Sequence, residues 1–325
     1  MKALVLKNKN KWREMQIEEV ITPDPGNGEV LVEVQAVGLN PVDYKTGTNG
    51  NPAWSYPHIL GLDVAGTIAG VGEDVQGWKV GDPVVYHGDL RTSGGYSEFD
   101  VADADILSRI PSGVSFAEAA ALPTAGYTAY QAVHRKLPLD RVNSLLIHAG
   151  AGGVGGFAVQ LAKMAGKTVY TTASEHNHEY VRSLGADGVI DYRQEDVHTK
   201  IMEWTEGRGV DAVIDTVSRD NATASLDSIA YMGHIVYIAG APDFTKVKPF
   251  TSVVSYHEVA LAANHKAGRE ARKDLGMMGD AMLRFVADKK LSPMLKDTVA
   301  MEEVPAALER LSERHVNGKL VAVWK

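Results

Sequence analysis

Six consecutive residues, Gly150-Ala151-Gly152-Gly153-Val154-Gly155, carry the clearest chemical signal in this 325-residue chain. They match G-x-G-x-x-G, follow the apolar run Leu145-Leu146-Ile147 and open the amphipathic stretch Phe157 to Ala165. A dinucleotide pyrophosphate needs that order. The first glycine makes a tight turn and the second lets the backbone approach the phosphates. The third lets helix and strand pack closely, with the anion held at the helix N-terminus. A glycine-rich turn with no such task would not need a strand before it and a helix after it.

The next strand-like run bears on the cofactor. A domain that binds NAD usually ends this strand with Asp or Glu, which holds the adenosine ribose hydroxyls. Here the residues are Thr171-Thr172-Ala173-Ser174, with no carboxylate to repel a 2′-phosphate, so NADP is the expected cofactor. Ser174, His176, Asn177 and the pair Tyr192-Arg193 could surround that phosphate. Ser174 reads equally well as a helix N-cap, and Glu175 could turn inward and restore NAD.

A second polar concentration, Asn40-Pro41-Val42-Asp43-Tyr44-Lys45, reads as a short turn after a strand. Tyr44 and Lys45 are candidates to hydrogen-bond a substrate oxygen, and Asn40 to orient substrate or nicotinamide ribose. The structural alternatives are a helix cap or an ion pair with Lys45 for Asp43, and packing for Tyr44.

Two kinds of element must position these groups. Up to about residue 120, short runs such as Val30 to Val37, Val64 to Val71, Pro83 to Tyr86 and Tyr96 to Val101 alternate with Gly, Pro and Asp turns, as in a β-rich domain. From Pro123 the rhythm changes. Strand-like runs at Ser144 to His148, Thr168 to Ala173, Gly188 to Asp191, Val210 to Asp215, His234 to Ala239 and Glu258 to Ala263 alternate with helical ones. Those are Phe157 to Ala165, Asn177 to Leu184, Val197 to Thr205 and Ala222 to Met232. Alternating β and α units predict a doubly wound parallel sheet over 123–265. The tail 266–325 is too short to fold alone, so it is expected to pack back onto 1–122.

Composition narrows the partners. The net charge is −8 and there are no cysteines. Disulfides, thiolate nucleophiles and sulfur-ligated zinc are therefore excluded, and neither nucleic acid nor an anionic membrane is an expected partner. Met1 to Lys7 lacks the apolar core of a signal peptide, which points to the cytoplasm.

Taken together, the residues resemble the medium-chain dehydrogenase/reductase superfamily, in its quinone oxidoreductase (zeta-crystallin-like) branch, over essentially the whole length. The landmarks are Gly38 to Asp43, Gly61-Leu62-Asp63-Val64-Ala65-Gly66, Val80-Gly81-Asp82, Gly94 to Glu98, Leu122 to Ala129, the glycine loop and the closing Gly318-Lys319. The resemblance implies an α/β chain, with a Rossmann-type doubly wound parallel sheet domain and a β-rich GroES-like catalytic domain. It implies nicotinamide bordered by Asn40, Thr128, Asp215 to Val217, and Ala239-Gly240-Ala241. It matches Tyr192 to a tyrosine that contacts the 2′-phosphate and puts Asn177 where a lysine is common.

The zinc-dependent alcohol dehydrogenases of that superfamily hold their metal near Asn40, at Leu62 and near Ala121, and the types found here are not zinc ligands. His58, His87 and Asp63 remain as an improvised set, with Asp63 more simply serving its turn. Without a metal to steady an alkoxide, quinones and α,β-unsaturated carbonyls become the expected small-molecule substrates, because conjugation spreads the incoming charge. An enoyl-thioester reductase, a zinc-type alcohol dehydrogenase and a non-enzymatic NADPH- or RNA-binding protein are the alternatives. Ser252 to Ala263 is apolar enough to pair across the two-fold of a homodimer.

Overall fold

A computed structural model describes residues 1–247, 250–251, 253–314 and 316–324. The chain divides into two compact units, 1–127 with 262–325, and 128–261.

The first unit opens with β1 (Lys2–Leu6), β2 (Gln16–Glu19), β3 (Glu29–Gly38), β4 (His58–Ile59), β5 (Asp63–Val71), β6 (Pro83–His87), β7 (Phe99–Asp103) and β8 (Ser108–Arg109). Strand β3 shows why these runs extend: Val30, Val32, Val34 and Ala36 point into the core while Leu31, Glu33 and Gln35 face away. The strand-like run Tyr96 to Val101 starts later than its pattern predicts, at Phe99, because the Tyr96 backbone bonds to Leu60 and Leu4 instead of to β3. Helix Pro41–Asn49 replaces the short turn predicted at Asn40 to Lys45. Asn40 caps it, Pro41 stands in its first turn, and the Asp43 carboxylate accepts the Asn40 backbone N–H at 2.8 Å.

The second unit contains β9 (Ser144–Ile147), β10 (Thr168–Thr172), β11 (Gly188–Ile190), β12 (Val210–Asp215), β13 (Ile229–Tyr237) and β14 (Ser255–Glu258). They form one parallel sheet in the order β11-β10-β9-β12-β13-β14. Leu146, Val213 and Ile235 from the sheet pack with Ile201 and Ala222 from its helices. The order runs outward from β9 in one direction and from β12 in the other, and at such a switch point the strand ends leave a ligand crevice.

Two predictions in this unit need correction. Ala222 to Met232 is not one helix, because helix Arg219–Ser225 and a short 3-10 turn give way to β13 at Ile229. Met232 adopts φ 62° and the strand register shifts between Val210 and Ala212, so the apolar pattern there belongs to an irregular strand. The last strand lies at 255–258 instead of Glu258 to Ala263, since pairing with His234–Tyr237 captures those residues. Leu261–His265 is a 3-10 turn. Ser252, the start of the stretch expected to pair across a two-fold, lies outside the described residues.

The chain then returns to the first unit through helix Arg269–Ala287, β15 (Leu295–Ala300), helix Val304–Ser312 and β16 (Lys319–Val323). The larger sheet of this unit runs β15-β16-β3-β5-β6-β8, with β7 also on β3, and β2-β1-β4 form a smaller one.

Candidate active site

In the second unit the glycine loop joins β9 to helix Gly153–Met164. A Cβ on Gly150 would sit 2.2 Å from Thr171 Oγ1, and one on Gly155 2.2 Å from the Ala149 carbonyl oxygen. Close strand–helix packing therefore requires both. A Cβ on Gly152 meets the same carbonyl oxygen at 3.3 Å, so packing alone demands it far less. Gly152 is also the N-cap and has no side chain to satisfy the first helical N–H groups, which are left to receive an anion. The loop is braced by Thr172, whose Oγ1 accepts the Ala149 N–H at 3.0 Å, and by buried His148. His148 Nε2 lies 2.8 Å from Ser225 Oγ, and burial pulls its pKa down to about 4, so the ring is neutral.

Because the strands are parallel, the other predicted cofactor residues of this unit lie at the same sheet edge. Ser174 follows β10, and Asn177 Nδ2 donates to Ser174 Oγ at 3.2 Å, with His176 Nε2 also 3.2 Å from that amide nitrogen. Glu175 is exposed. Tyr192 is exposed after β11, with the Arg193 guanidinium 5.7 Å from its ring centroid. Ala239 and Gly240 follow β13, with Gly240 packed on the Arg219 backbone. Buried Asp215, ending β12, accepts the N–H groups of Val217 at 3.0 Å and Ser218 at 3.1 Å, which fixes the neighbouring turn. Thr128 is buried at the start of this unit.

The first unit holds a sealed polar cluster. Asn40 Nδ2 donates to Asp63 Oδ2 at 2.8 Å and to the Gly38 carbonyl oxygen at 3.3 Å, while Asn40 Oδ1 accepts from Lys319 Nζ. Lys319 Nζ also donates to the Leu39 carbonyl oxygen at 3.1 Å and lies 3.5 Å from Asp63 Oδ2. Thr124 donates its N–H to Asp63 Oδ1 at 2.8 Å, and its hydroxyl donates to the same oxygen. Tyr96 Oη donates to Asp43 Oδ2 at 3.0 Å. Two carboxylates thus share one ammonium away from water. Burial pushes the Asp43 pKa up to about 7, raises that of Asp63 and lowers that of Lys319.

The three residues read as catalytic do not converge. Asn40 is buried, and both of its amide donors point inward. Tyr44 packs on Trp12, ring centroids 5.9 Å apart, and its hydroxyl has no protein partner among the described residues. Lys45 is exposed, roughly 100° further around the helix. Asp63 does not serve a turn, because it opens β5 and anchors the cluster. Sequence reading noted Lys319, Thr124 and Tyr96 only as landmarks and gave none of them a part in the site. A lysine opening an otherwise apolar strand was the available signal.

Nor do these residues suit zinc. Leu62 and Ala121 are buried apolar side chains and Asn40 is committed to Lys319 and Asp63. His58 stacks on Trp54 with ring centroids 4.0 Å apart, and both Asp63 oxygens are already taken by Asn40, Thr124 and Lys319, so His58, His87 and Asp63 do not form a ligand set. Among the described residues no three His, Cys, Asp or Glu side chains are grouped to hold a metal.

Comparison with known proteins agrees with this architecture. Residues 26–132 match the alcohol dehydrogenase GroES-like domain and 153–275 the zinc-binding dehydrogenase domain. The chain is 33% identical over 314 residues to the chloroplastic quinone-oxidoreductase QR1 of Triphysaria versicolor, covering 93% of this chain and 92% of that one. It belongs to the quinone oxidoreductase branch of the medium-chain dehydrogenase/reductase superfamily.

The Coxiella burnetii quinone oxidoreductase structure superposes with a TM-score of 0.84 at 30% identity, covering 100% of this chain and 99% of that one. The trans-enoyl reductase tazE of Aspergillus terreus is 38% identical over 207 residues, 58% of this chain and 68% of that protein. Medium-chain oxidoreductases use a nicotinamide cofactor, and the glycine cradle and uncapped helix fit one. Among the described residues, no helix is long and apolar enough to cross a membrane.

Proposed function

We propose that the chain is a zinc-independent, NADPH-dependent reductase that transfers hydride to a quinone or an α,β-unsaturated carbonyl. The observation that carries the reading is the Asn40–Asp63–Lys319 cluster. It commits, to an amide, a carboxylate and an ammonium, the corner where zinc-dependent members of the superfamily place a metal ligand.

Gly150, Gly152, Gly153, Val154 and Gly155 would hold the cofactor pyrophosphate against the helix N-terminus. Ser174, Asn177 and Tyr192 would surround the 2′-phosphate, and Thr128 and Ala239-Gly240 would border the nicotinamide. The bound cofactor supplies the hydride. Of the three residues read as catalytic, Tyr44 keeps a hydroxyl that has no partner among the described residues and can hydrogen-bond a substrate oxygen, and Asn40 positions the helix that carries it.

The test is a panel of quinones, enones, enals and alcohols assayed with NADPH and NADH, with and without a chelator. NADPH-dependent reduction of quinones or enones that a chelator leaves unchanged is expected. One tightly held zinc per chain, with activity lost on its removal, would sink the reading. The likeness to the trans-enoyl reductase tazE favours one variant of it, in which the conjugated acceptor is an enoyl group. Including a crotonyl thioester in the panel separates the two.

A further inference from the structure

Deep in the first unit, His87 Nδ1 lies 3.2 Å from His265 Nε2, although 178 positions separate the two in sequence. The rings stack with centroids 5.4 Å apart, and their exposures are only 2% and 7%. A contact between two imidazole nitrogens is a hydrogen bond only when one donates and the other accepts, so the pair carries one N–H between its facing atoms. Each ring then has a second nitrogen, His87 Nε2 and His265 Nδ1. Neither has a protein partner among the described residues, and neither is among the fully enclosed unpartnered polar atoms. The pair is therefore a hydrogen-bonded couple with one uncommitted nitrogen on each ring.

His87 ends β6 directly opposite Asp63 in the antiparallel register with β5, so one ring adjoins the cluster that positions helix Pro41–Asn49. His265 lies in the field of Asp89, Arg91, Asp103 and Arg272, and His87 in that of Asp89 and Lys319. Burial dominates at both rings and keeps them neutral. A relay needs this, since a ring that stored the proton would not pass it on.

Hydride addition to a quinone or enone leaves negative charge on oxygen, and one proton must follow. The Tyr44 hydroxyl can hold that oxygen but has no protein partner among the described residues to replace a proton it gives away. We infer that His87 and His265 form a two-imidazole relay that carries a solvent proton to the reduced acceptor, with His87 the catalytic donor and His265 the group that reloads it. The inference rests on the hydride-transfer reading above. In the step, His87 Nε2–H protonates the oxyanion and His87 Nδ1 takes the proton of His265 Nε2–H. Water then protonates His265 Nδ1. One hydride and one solvent proton enter the product, and exchange with water resets the tautomers once the product leaves.

Three preparations test this: wild type, His87→Gln and His265→Ala. Turnover with an enone should fall by roughly 10²-fold in each variant, the scale of a lost general acid. The solvent isotope effect in heavy water should rise, and added imidazole should restore His265→Ala. NADPH affinity by fluorescence titration should stay at the wild-type value. Nitrogen NMR of wild type labelled at histidine should show two neutral rings sharing one N–H at neutral pH, a signature lost in both variants.

Unchanged turnover and isotope effect in variants that still bind NADPH would overturn the relay and leave the functional reading intact. So would a loss that imidazole does not restore and that comes with an unchanged isotope effect, because that pattern marks a packing role. Wild type that binds NADPH but reduces no quinone or enone removes the functional reading, and the relay with it.

Discussion

Lys319 Nζ lies 3.5 Å from Asp63 Oδ2 with both side chains sealed from solvent, 4% and 0% exposed, and the Asn40 amide bonds to both. A charge in such a place is tolerated only because its partners are fixed, and removing one partner strands the other.

Lys319→Met should therefore destabilise the protein by about 3 to 5 kcal/mol, the usual cost of leaving a buried charge unpaired. Combining it with Asp63→Asn, which removes the stranded charge, should recover much of that loss. Denaturant unfolding of wild type, both single variants and the double variant gives the coupling directly. Additive losses would mean that the ammonium is held by Asn40 and the Leu39 carbonyl alone.

How much of this was legible in sequence follows the distance along the chain. The glycine loop was readable because strand, turn and helix are contiguous, and its two close contacts come from Thr171 and Ala149. The helix at Pro41 carried its own signals, an Asn cap with Pro at the first position and Asp at the third, and was misread as a turn because its apolar periodicity is weak. Asp63 with Lys319 and His87 with His265 join residues 256 and 178 positions apart, and no local pattern encodes such pairs.

The loop glycines should separate folding from binding. Gly155→Ala drives a Cβ to 2.2 Å from a backbone oxygen and should lower the melting temperature sharply. Gly152→Ala, at 3.3 Å, should keep the fold but weaken NADPH, because its Cβ occupies the approach of the pyrophosphate. Thermal melts and fluorescence titration, run on the same preparations, distinguish the two. Equal NADPH affinity in wild type and Gly152→Ala would place the phosphates elsewhere.

Cofactor preference should reverse at Ser174. Its hydroxyl and the Asn177 amide form the polar end of β10, and Glu175 beside them is exposed. Ser174→Asp places a carboxylate where ribose hydroxyls would be held, and a 2′-phosphate would be repelled. Wild type should bind NADPH at least several-fold more tightly than NADH, and the variant should bind NADH more tightly than NADPH. A ratio that the substitution does not move would exclude this strand end from cofactor recognition.

Asp100 should give stability an unusual pH dependence. Burial pushes its pKa from the ordinary 3.8 up to about 7, and Tyr86 Oη donates to its carboxylate at 2.7 Å. The folded state therefore holds this proton more tightly than the unfolded chain. The stabilisation is complete below the unfolded value, about 3.9, and is lost as pH rises through about 7. Asp43 acts in the same direction, so the informative quantity is the difference between wild type and Asp100→Asn. That difference should shift in favour of the variant between pH 5 and pH 8 in denaturant unfolding (about three units around the native pKa). A constant difference would mean that Asp100 ionises normally in the fold.

Tyr44, Lys45 and Asn40 should fail in three different ways. Tyr44 packs its ring on Trp12 and its hydroxyl has no partner among the described residues, so Tyr44→Phe preserves the packing and removes only a donor. If that donor polarises the substrate oxygen, enone turnover should fall by an amount equivalent to about 3 kcal/mol, with NADPH affinity unchanged. Quinones, which accept hydride more readily, should lose less. Lys45 is exposed on another face of the helix, so Lys45→Met should leave turnover close to wild type. Asn40→Ala breaks the bonds to Gly38, Asp63 and Lys319 together and should show first as a lower melting temperature, as expected of a residue that positions its helix. Steady-state kinetics on an enone and a quinone, with melts of the same three variants, distinguish these outcomes. Full enone activity in Tyr44→Phe would show that the oxygen is held by another group and that Tyr44 serves only to pack against Trp12.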